Sequence, residues 1–317
     1  MTKKYSMLDF TGVKTYPLAQ RKNKMTVATD FGQPLRAGMS VAELMAALPP
    51  QLGAKDLLAV ADAIVAARRK GKPVIMAMGA HVLKCGLQPV LKSLIEADAV
   101  TGFALNGAGS VHDYEISLIG ATSEDVGAVL HCGTFGMAEE TGRDLNRALR
   151  EGVAAGLGYG AAVGRFIIAN SNPQREHSLL AVCSEREVPI TVHVALGTDI
   201  IHQHPTADGA IIGEATFRDF RLFTAMVTEL GDGGVYLNVG SAVLLPEVFL
   251  KALSIAQNLG YHVDRFKTVD MDMKQHYRPL QNVVKRPTAG DSRGYTLTGH
   301  HEIMLPLLAA TVLDRLS

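Results

Sequence analysis

The stretch KPVIMAMGAHVLKCGLQPVLKSLIEADAVTGFALNG, Lys72 to Gly107, decides the fold. Val74 to Met78 is a short unbroken apolar run that stops at Gly79, and TGFALNG, Thr101 to Gly107, repeats that form. Between them GLQPVLKSLIEADAV has helical apolar spacing. A strand that is apolar on both sides is buried on both faces, and a helix joining two of them reads as a crossover between parallel neighbours.

Upstream, SVAELMAAL opens on Ser40 with Glu43 three residues later, a capping-box spacing. GAKDLLAVADAIVAARRKG then has helical periodicity, ends in basic residues and stops at Gly71. Downstream the alternation continues. NRALREGVAAGLGYGAAVGRFII reads as one small-residue-rich helix, its glycines allowing close helix packing. HSLLAVCSEREV is helical, and PITVHVAL is a strand ending at Gly197. FRDFRLFTAMVTELG is a helix, and GGVYLNVG a strand ending at Gly240. PEVFLKALSIAQNLG is a helix with Pro246 at its start. GYTLTG is a late strand, and IMLPLLAATVLDRL a closing helix. The expected fold class is therefore α/β, a Rossmann-like parallel sheet with helices on both faces. No linker divides the chain, so residues 1–317 are expected to form one domain, with 1–35 as an irregular N-terminal arm. KTYPLAQRKNK gives that arm several positive charges, which fits either a solvated arm or one that docks on a neighbouring subunit.

Composition narrows the function classes. The 317 residues are 47% hydrophobic and 20% charged, with net charge zero. That composition supports a large core and lacks the basic excess of a nucleic-acid binder. No apolar run reaches the length of a membrane span, and the first residues lack the apolar segment of a signal peptide. Cys85, Cys132 and Cys183 are few, odd in number and far apart, so no disulfide framework or zinc site is expected. A cytoplasmic protein fits best.

In an open parallel sheet, ligands bind beyond the carboxyl ends of the strands. Here those ends read AMGAH, ALNGAGSVHD, ALGTDIIHQH, NVGSAVLLPE and TLTGHHE, each passing through glycine into expected polar or histidine-bearing loops. Glycine lets backbone approach a ligand closely, and its free N–H groups suit phosphate or ribose. Together the ends point to a dinucleotide site, although GAGSVH lacks the third glycine of the usual fingerprint. His81, His112, His202, His204, His300 and His301 gather at these ends. HQH and HH are not recognised metal-ligand spacings, so acid–base or hydrogen-bonding roles are expected and a metal is not. NVGSAV has no nucleophile elbow, and Cys85 among apolar residues reads as a packed thiol. Lys285, in NVVKRPT, is either an exposed loop lysine or a lysine desolvated enough to form a Schiff base.

Four passages, GAHVLKCGLQPVLKSLIEADAVTGFALNGAGSVHDYE, PITVHVALGTD, VYLNVGSAVLLPEVFLKAL and GYTLTGHHEIMLPLL, resemble the deoxyhypusine synthase family, in particular its synthase-like branch. The likeness runs in matching order from about residue 70 to the end. It implies NAD as cofactor, a homo-oligomer (a tetramer of paired dimers), a small-molecule amine as substrate, and an acceptor amine that can belong to a protein. The implied activity is NAD-dependent transfer of an aminoalkyl group through an imine, as in deoxyhypusine or homospermidine synthesis. By position it implies Gly79, Asn106, Gly107, Asp113, Thr198, Asp199, Gly240 and Ser241 at the cofactor, with Lys285, His112 and His204 as catalytic candidates.

The chain departs from that pattern in five places, the first being that Lys285 lacks the usual Trp-Gly before it in a chain with no Trp at all. His112 replaces the first of an acidic pair, and Leu245–Pro246–Glu247 replaces a general-base histidine. DMDMKQHYRPLQ replaces an acidic loop, and another substrate acid falls near His204. Fewer acids imply a less cationic substrate, because a desolvated polyamine needs carboxylates around it. Two alternatives therefore stand beside the transferase: an NAD-dependent oxidoreductase or redox-neutral lyase using cleft histidines, and a non-catalytic NAD-binding protein.

Overall fold

The computed structural model describes residues 5–317, so the first four residues of the expected arm lie outside the described residues. Residues 5–35 carry only the short turns Leu18–Gln20 and α1 (Val27–Asp30), and almost all of their side chains are exposed. Order begins with α2 (Val41–Ala47), where Ser40 and Glu43 close the expected capping box. α3 (Leu52–Arg69) follows and ends at the basic residues that favour a helix C-terminus.

β1 (Val74–Met78) and β2 (Gly102–Asn106) lie where the apolar runs place them, separated by α4 (Ala80–Lys84) and α5 (Gln88–Glu96). β2 passes directly into α6 (Gly107–Ile119) instead of the expected loop, because Asn106 caps the helix by accepting the Gly109 amide at 3.0 Å. After α7 (Val126–Val129), the expected single small-residue helix is two, α8 (Glu139–Ala154) and α9 (Tyr159–Ala169). Gly156, at φ +80°, breaks it. α10 (Leu179–Glu185) leads into β3 (Ile190–His193), which is shorter than the expected strand.

α11 (Gly209–Thr228), β4 (Val235–Val239) and α12 (Leu244–Asn258) come next. β5 (Lys267–Asp272) is a strand that sequence reading missed. α13 (Tyr277–Pro279) and a π-helix, Leu280–Lys285, cross back to β6 (Arg293–Thr298), and α14 (His301–Leu316) closes the chain.

The six strands are all parallel, in the order β3-β2-β1-β4-β5-β6. One face is covered mainly by α3, α5, α9, α10 and α14. The other, with Ile75, Ala77 and Tyr236, packs against Phe223 of α11 and Phe249 of α12. The chain builds outward from β1 to β3, returns, and builds outward again from β4 to β6. That reversal falls between β1 and β4, and in sheets of this topology the ligand crevice lies there, at the carboxyl ends of the strands. Among the described residues, no single helix is long and apolar enough to cross a membrane.

Candidate functional site at the strand ends

The ladder of the sheet continues one residue past its strands through glycines. The Gly79 amide donates to the Val239 carbonyl at 2.9 Å, and the Gly240 amide to the Met271 carbonyl at 3.0 Å. Gly240 has φ +66°, and a β-carbon there would lie 2.8 Å from Cε1 of His301. A β-carbon on Gly79 would collide with the Gly240 carbonyl. Both positions are thus closed to a side chain by the protein's own atoms. Ser241, next to Gly240, is buried and accepts the Leu245 amide at 3.3 Å on its hydroxyl.

Asn106, Gly107 and Asp199 come together at the ends of β2 and β3. The Asp199 carboxylate rests against Gly107 and accepts the Ala108 amide at the start of α6. Burial outweighs that bond and pushes its carboxyl up to about 6. His202 stands beside it. Its Nδ1 accepts the amides of Gly197 and Asp199 at 3.1 and 3.2 Å, so the ring proton sits on Nε2. That Nε2 and Asp199 Oδ2 are 4.0 Å apart, both buried and both without a partner among the described residues. Thr198 is exposed, its hydroxyl turned back to the Ala195 carbonyl at 2.7 Å.

His112 lies further along α6. The Thr122 hydroxyl donates to Glu115 and accepts from His112 Nδ1 at 2.7 Å. This chain places the His112 proton on Nδ1 and leaves an unprotonated Nε2. Burial, with Lys84 nearby, lowers the ring pKa to about 4 and keeps it neutral.

Three other candidates sit elsewhere. Asp113 is wholly buried and caps α10, accepting the Ser178 hydroxyl and the amides of Leu179 and Leu180 at 2.7 and 3.0 Å. Its carboxylate is used up in holding α10 to α6. His204 bonds through Nε2 to the Gly136 carbonyl at 2.8 Å, and its ring fills the space over Gly142. It fastens the residue-136 turn to the start of α8. Lys285 is exposed at the end of the π-helix. Its neighbour Val284 packs on Gly294, near the start of β6. A six-residue strand spans about 17 Å at 3.3 Å per step, so Lys285 stands at the opposite end of the sheet from the crevice. Within one chain the expected lysine imine has no path to the strand ends. The reason is topological: the segment after β5 runs back down the sheet before β6 begins.

The site also contains groups that sequence reading passed over. Asp272 ends β5 with His301 Nε2 at 4.0 Å, and His301 is buried beside Gly240. Asp270, two residues earlier, is buried and accepts Asn238 Nδ2 at 2.8 Å. The alternation of Thr268, Asp270 and Asp272 with Val269 and Met271 was the signal for this strand. Cys85 is half-buried, 3.4 Å from His81 Nε2, and burial together with Glu302 holds its thiol above the usual range.

No protein-family model matches the sequence, and no curated protein matches it. Solved structures share its fold. An Entamoeba histolytica protein assigned as a deoxyhypusine synthase superposes with TM-score 0.54 at 11% identity, over 87% of this chain and 94% of that one. A LOR/SDH protein from Methanococcus maripaludis gives TM-score 0.53 at 13% identity, over 84% and 71%. AgrE, solved as a ternary complex with ornithine and NAD+, gives 0.51 at 14% identity over 82% of this chain but 33% of AgrE, so the chain spans about a third of that protein. At these identities the likeness is one of fold, and it agrees with the α/β architecture read from the sequence.

Proposed function

We propose that this chain is an NAD-linked enzyme that oxidises a small amine at the carbon bearing nitrogen and passes the imine directly to an acceptor amine. The observation that carries the reading is the bare-backbone crevice of Gly79 and Gly240 at the point where strand order reverses. Such a crevice is where dinucleotides bind in this class of sheet. Two further features fit a dinucleotide: neither glycine tolerates a β-carbon, and Asp199 Oδ2 with His202 Nε2 form an unpaired acceptor and donor suited to a ribose hydroxyl. Support for the amine comes from the resemblance to deoxyhypusine synthase and from the ternary complex of AgrE with ornithine and NAD+.

In this reading Gly79 and Gly240 receive the pyrophosphate, and Asn106, Gly107 and Asp199 hold the nucleoside side. Bound NAD would supply a reversible hydride acceptor for that carbon, so the transfer would involve no net oxidation. The amine nitrogen must lose a proton as the C=N bond forms. His112 keeps a lone pair on Nε2 for it, oriented through Thr122 and Glu115. The acceptor amine then adds to the imine carbon and the original nitrogen leaves. Lys285 has no part in this path. Self-association belongs to the reading as well, since the arm leaves Tyr5, Leu8, Phe10 and Leu35 uncovered.

The test is incubation with NAD and spermidine, with and without an acceptor amine. Transfer product without accumulating NADH supports the proposal, and no product with bound NAD sinks it. A second reading follows from the placement of Lys285 and the free Nε2 of His112: an NAD-dependent oxidoreductase or redox-neutral lyase using that histidine. Steady NADH formation that needs no acceptor supports its oxidoreductase form.

A further inference from the structure

Asp270 and Asp272 stand two residues apart on β5, so both project from one face of the sheet. In the β4–β5 register Asn238 lies beside Asp270, and Tyr236 beside Thr268. These side chains form a polar strip on the face covered by α12, whose Phe249 stacks on Tyr236, and by the π-helix. Single-turn π segments recur at functional sites.

The strip is buried and short of partners. The Asp270 carboxylate has one hydrogen bond among the described residues, from Asn238. Asn238 Oδ1, the Tyr236 hydroxyl and Thr268 Oγ1 are buried with no partner among the described residues, on residues with no exposed surface. Folded proteins leave few buried polar atoms unpaired, so three in one strip point to a missing polar group.

The strip also lacks positive charge. Among the described residues, no Lys or Arg nitrogen forms an ion pair with Asp270 or Asp272, and the nearest cationic candidate for Asp272 is His301 at 4.0 Å. His301 fills that role poorly: its Nε2 turns to the Met271 carbonyl at 3.4 Å, and burial lowers its pKa. The titratable groups facing Asp270 are Asp272, Tyr236 and His276, the last half-buried in the loop after β5. Buried carboxylates need a compensating cation or a proton. A primary ammonium brings one positive charge and three N–H donors, and the unfilled acceptors here are carboxylate, amide and hydroxyl oxygens.

We propose that Asp270, Asp272 and Asn238 Oδ1 form the seat of the substrate's primary ammonium group, entered past Asp272 at the strand end. The inference rests on the amine reading above and gives it a set of residues that the resemblance does not name. It also reverses the expectation of a less cationic substrate, since the stretch read as replacing an acidic loop itself opens with two buried carboxylates, Asp270 and Asp272.

The experiment uses the full chain with 1,4-diaminobutane as probe and 1,4-butanediol as its neutral counterpart. Calorimetric titration is run on the wild type, Asp270→Asn and Asp272→Asn, with NAD titrated separately into each. The expected result is diamine binding to the wild type, no binding of the diol, and about tenfold or greater weakening in each variant. NAD affinity should stay within about twofold. Circular-dichroism melting identifies any variant that fails to fold, and Asp272→Asn, at the end of the strand, is the fallback. Equal diamine affinity in a folded variant, or no diamine binding by a wild type that binds NAD, overturns the inference. Loss of NAD binding alone overturns the function proposed above and leaves the ammonium seat to be decided by the diamine arm.

Discussion

Gly79 and Gly240 end neighbouring strands and meet so closely that a β-carbon on Gly79 would collide with the Gly240 carbonyl. The contact joins the outward-building halves of the sheet at the point of reversal, and it leaves backbone as the floor of the crevice.

That closeness predicts a contrast between two glycines. Gly79→Ala should destabilise by about 1–3 kcal/mol, the usual effect of overpacking. Gly213→Ala, within α11 where a β-carbon meets nothing within 4 Å, should stabilise by up to about 1 kcal/mol through helix propensity. Urea midpoints of the two variants measure this. Equal midpoints would contradict the packing described.

Much of this frame was legible in the sequence. β1 and β2 are apolar runs ending in glycine or an Asn–Gly pair, β4 is one interrupted only by Asn238, and burial on both faces accounts for that pattern. β5 was hidden because Asp270 and Asp272 break the apolar run, and acids in a buried strand are rare without a local purpose. The position of Gly79, Gly240, Asn106, Gly107 and Asp199 at or just past strand ends was legible because strand ends are predictable once strands are. The placement of Lys285 was not, since nearness in sequence to the last strand does not say which end of that strand a residue adjoins. Asp113 and His204 were misleading for a related reason: a polar residue close to a strand end can turn inward to cap or brace a neighbouring helix.

Lys285→Ala should leave NAD binding unchanged and shift stability by no more than about 0.5 kcal/mol, as for an exposed side chain away from special contacts. Calorimetry and denaturant unfolding together check this. A large loss of NAD affinity or of turnover would return Lys285 to the site through some route other than its own chain.

Asp219 gives the stability of the protein a pH signature. It sits within α11 and accepts the amides of Gly160 and Val192 at 2.8 and 2.7 Å, yet burial pushes its carboxyl up to about 7. The folded state then holds a proton that the unfolded chain has released above an ordinary carboxylate pKa of about 4. Its contribution is present below that unfolded value and is lost as pH rises through the folded one. The slope is at most about 1.4 kcal/mol per pH unit. Asp219→Asn cannot titrate, so the gap in urea midpoint between wild type and variant should shift in favour of the wild type at pH 5 relative to pH 7. Parallel pH profiles would contradict this.

His112 should remain neutral, with its proton on Nδ1, from about pH 8 down to about pH 5, because burial and Lys84 lower its pKa to about 4. Thr122→Val removes the hydroxyl that orients the ring, and the Nδ1–H preference should weaken. Nitrogen-15 NMR of the histidine ring reads both. A His112 titration near pH 6.5 in the wild type would contradict the burial described.

The central claim is that the crevice between β1 and β4 holds NAD. Calorimetric titration of NAD into the wild type and Gly240→Ala tests it most directly. At Gly240 a side chain would have to adopt φ +66° and stand 2.8 Å from His301 Cε1. The account predicts saturable binding of one NAD per chain, and affinity at least about tenfold weaker in a folded Gly240→Ala variant. No binding by the wild type, or undiminished binding by the variant, would contradict it.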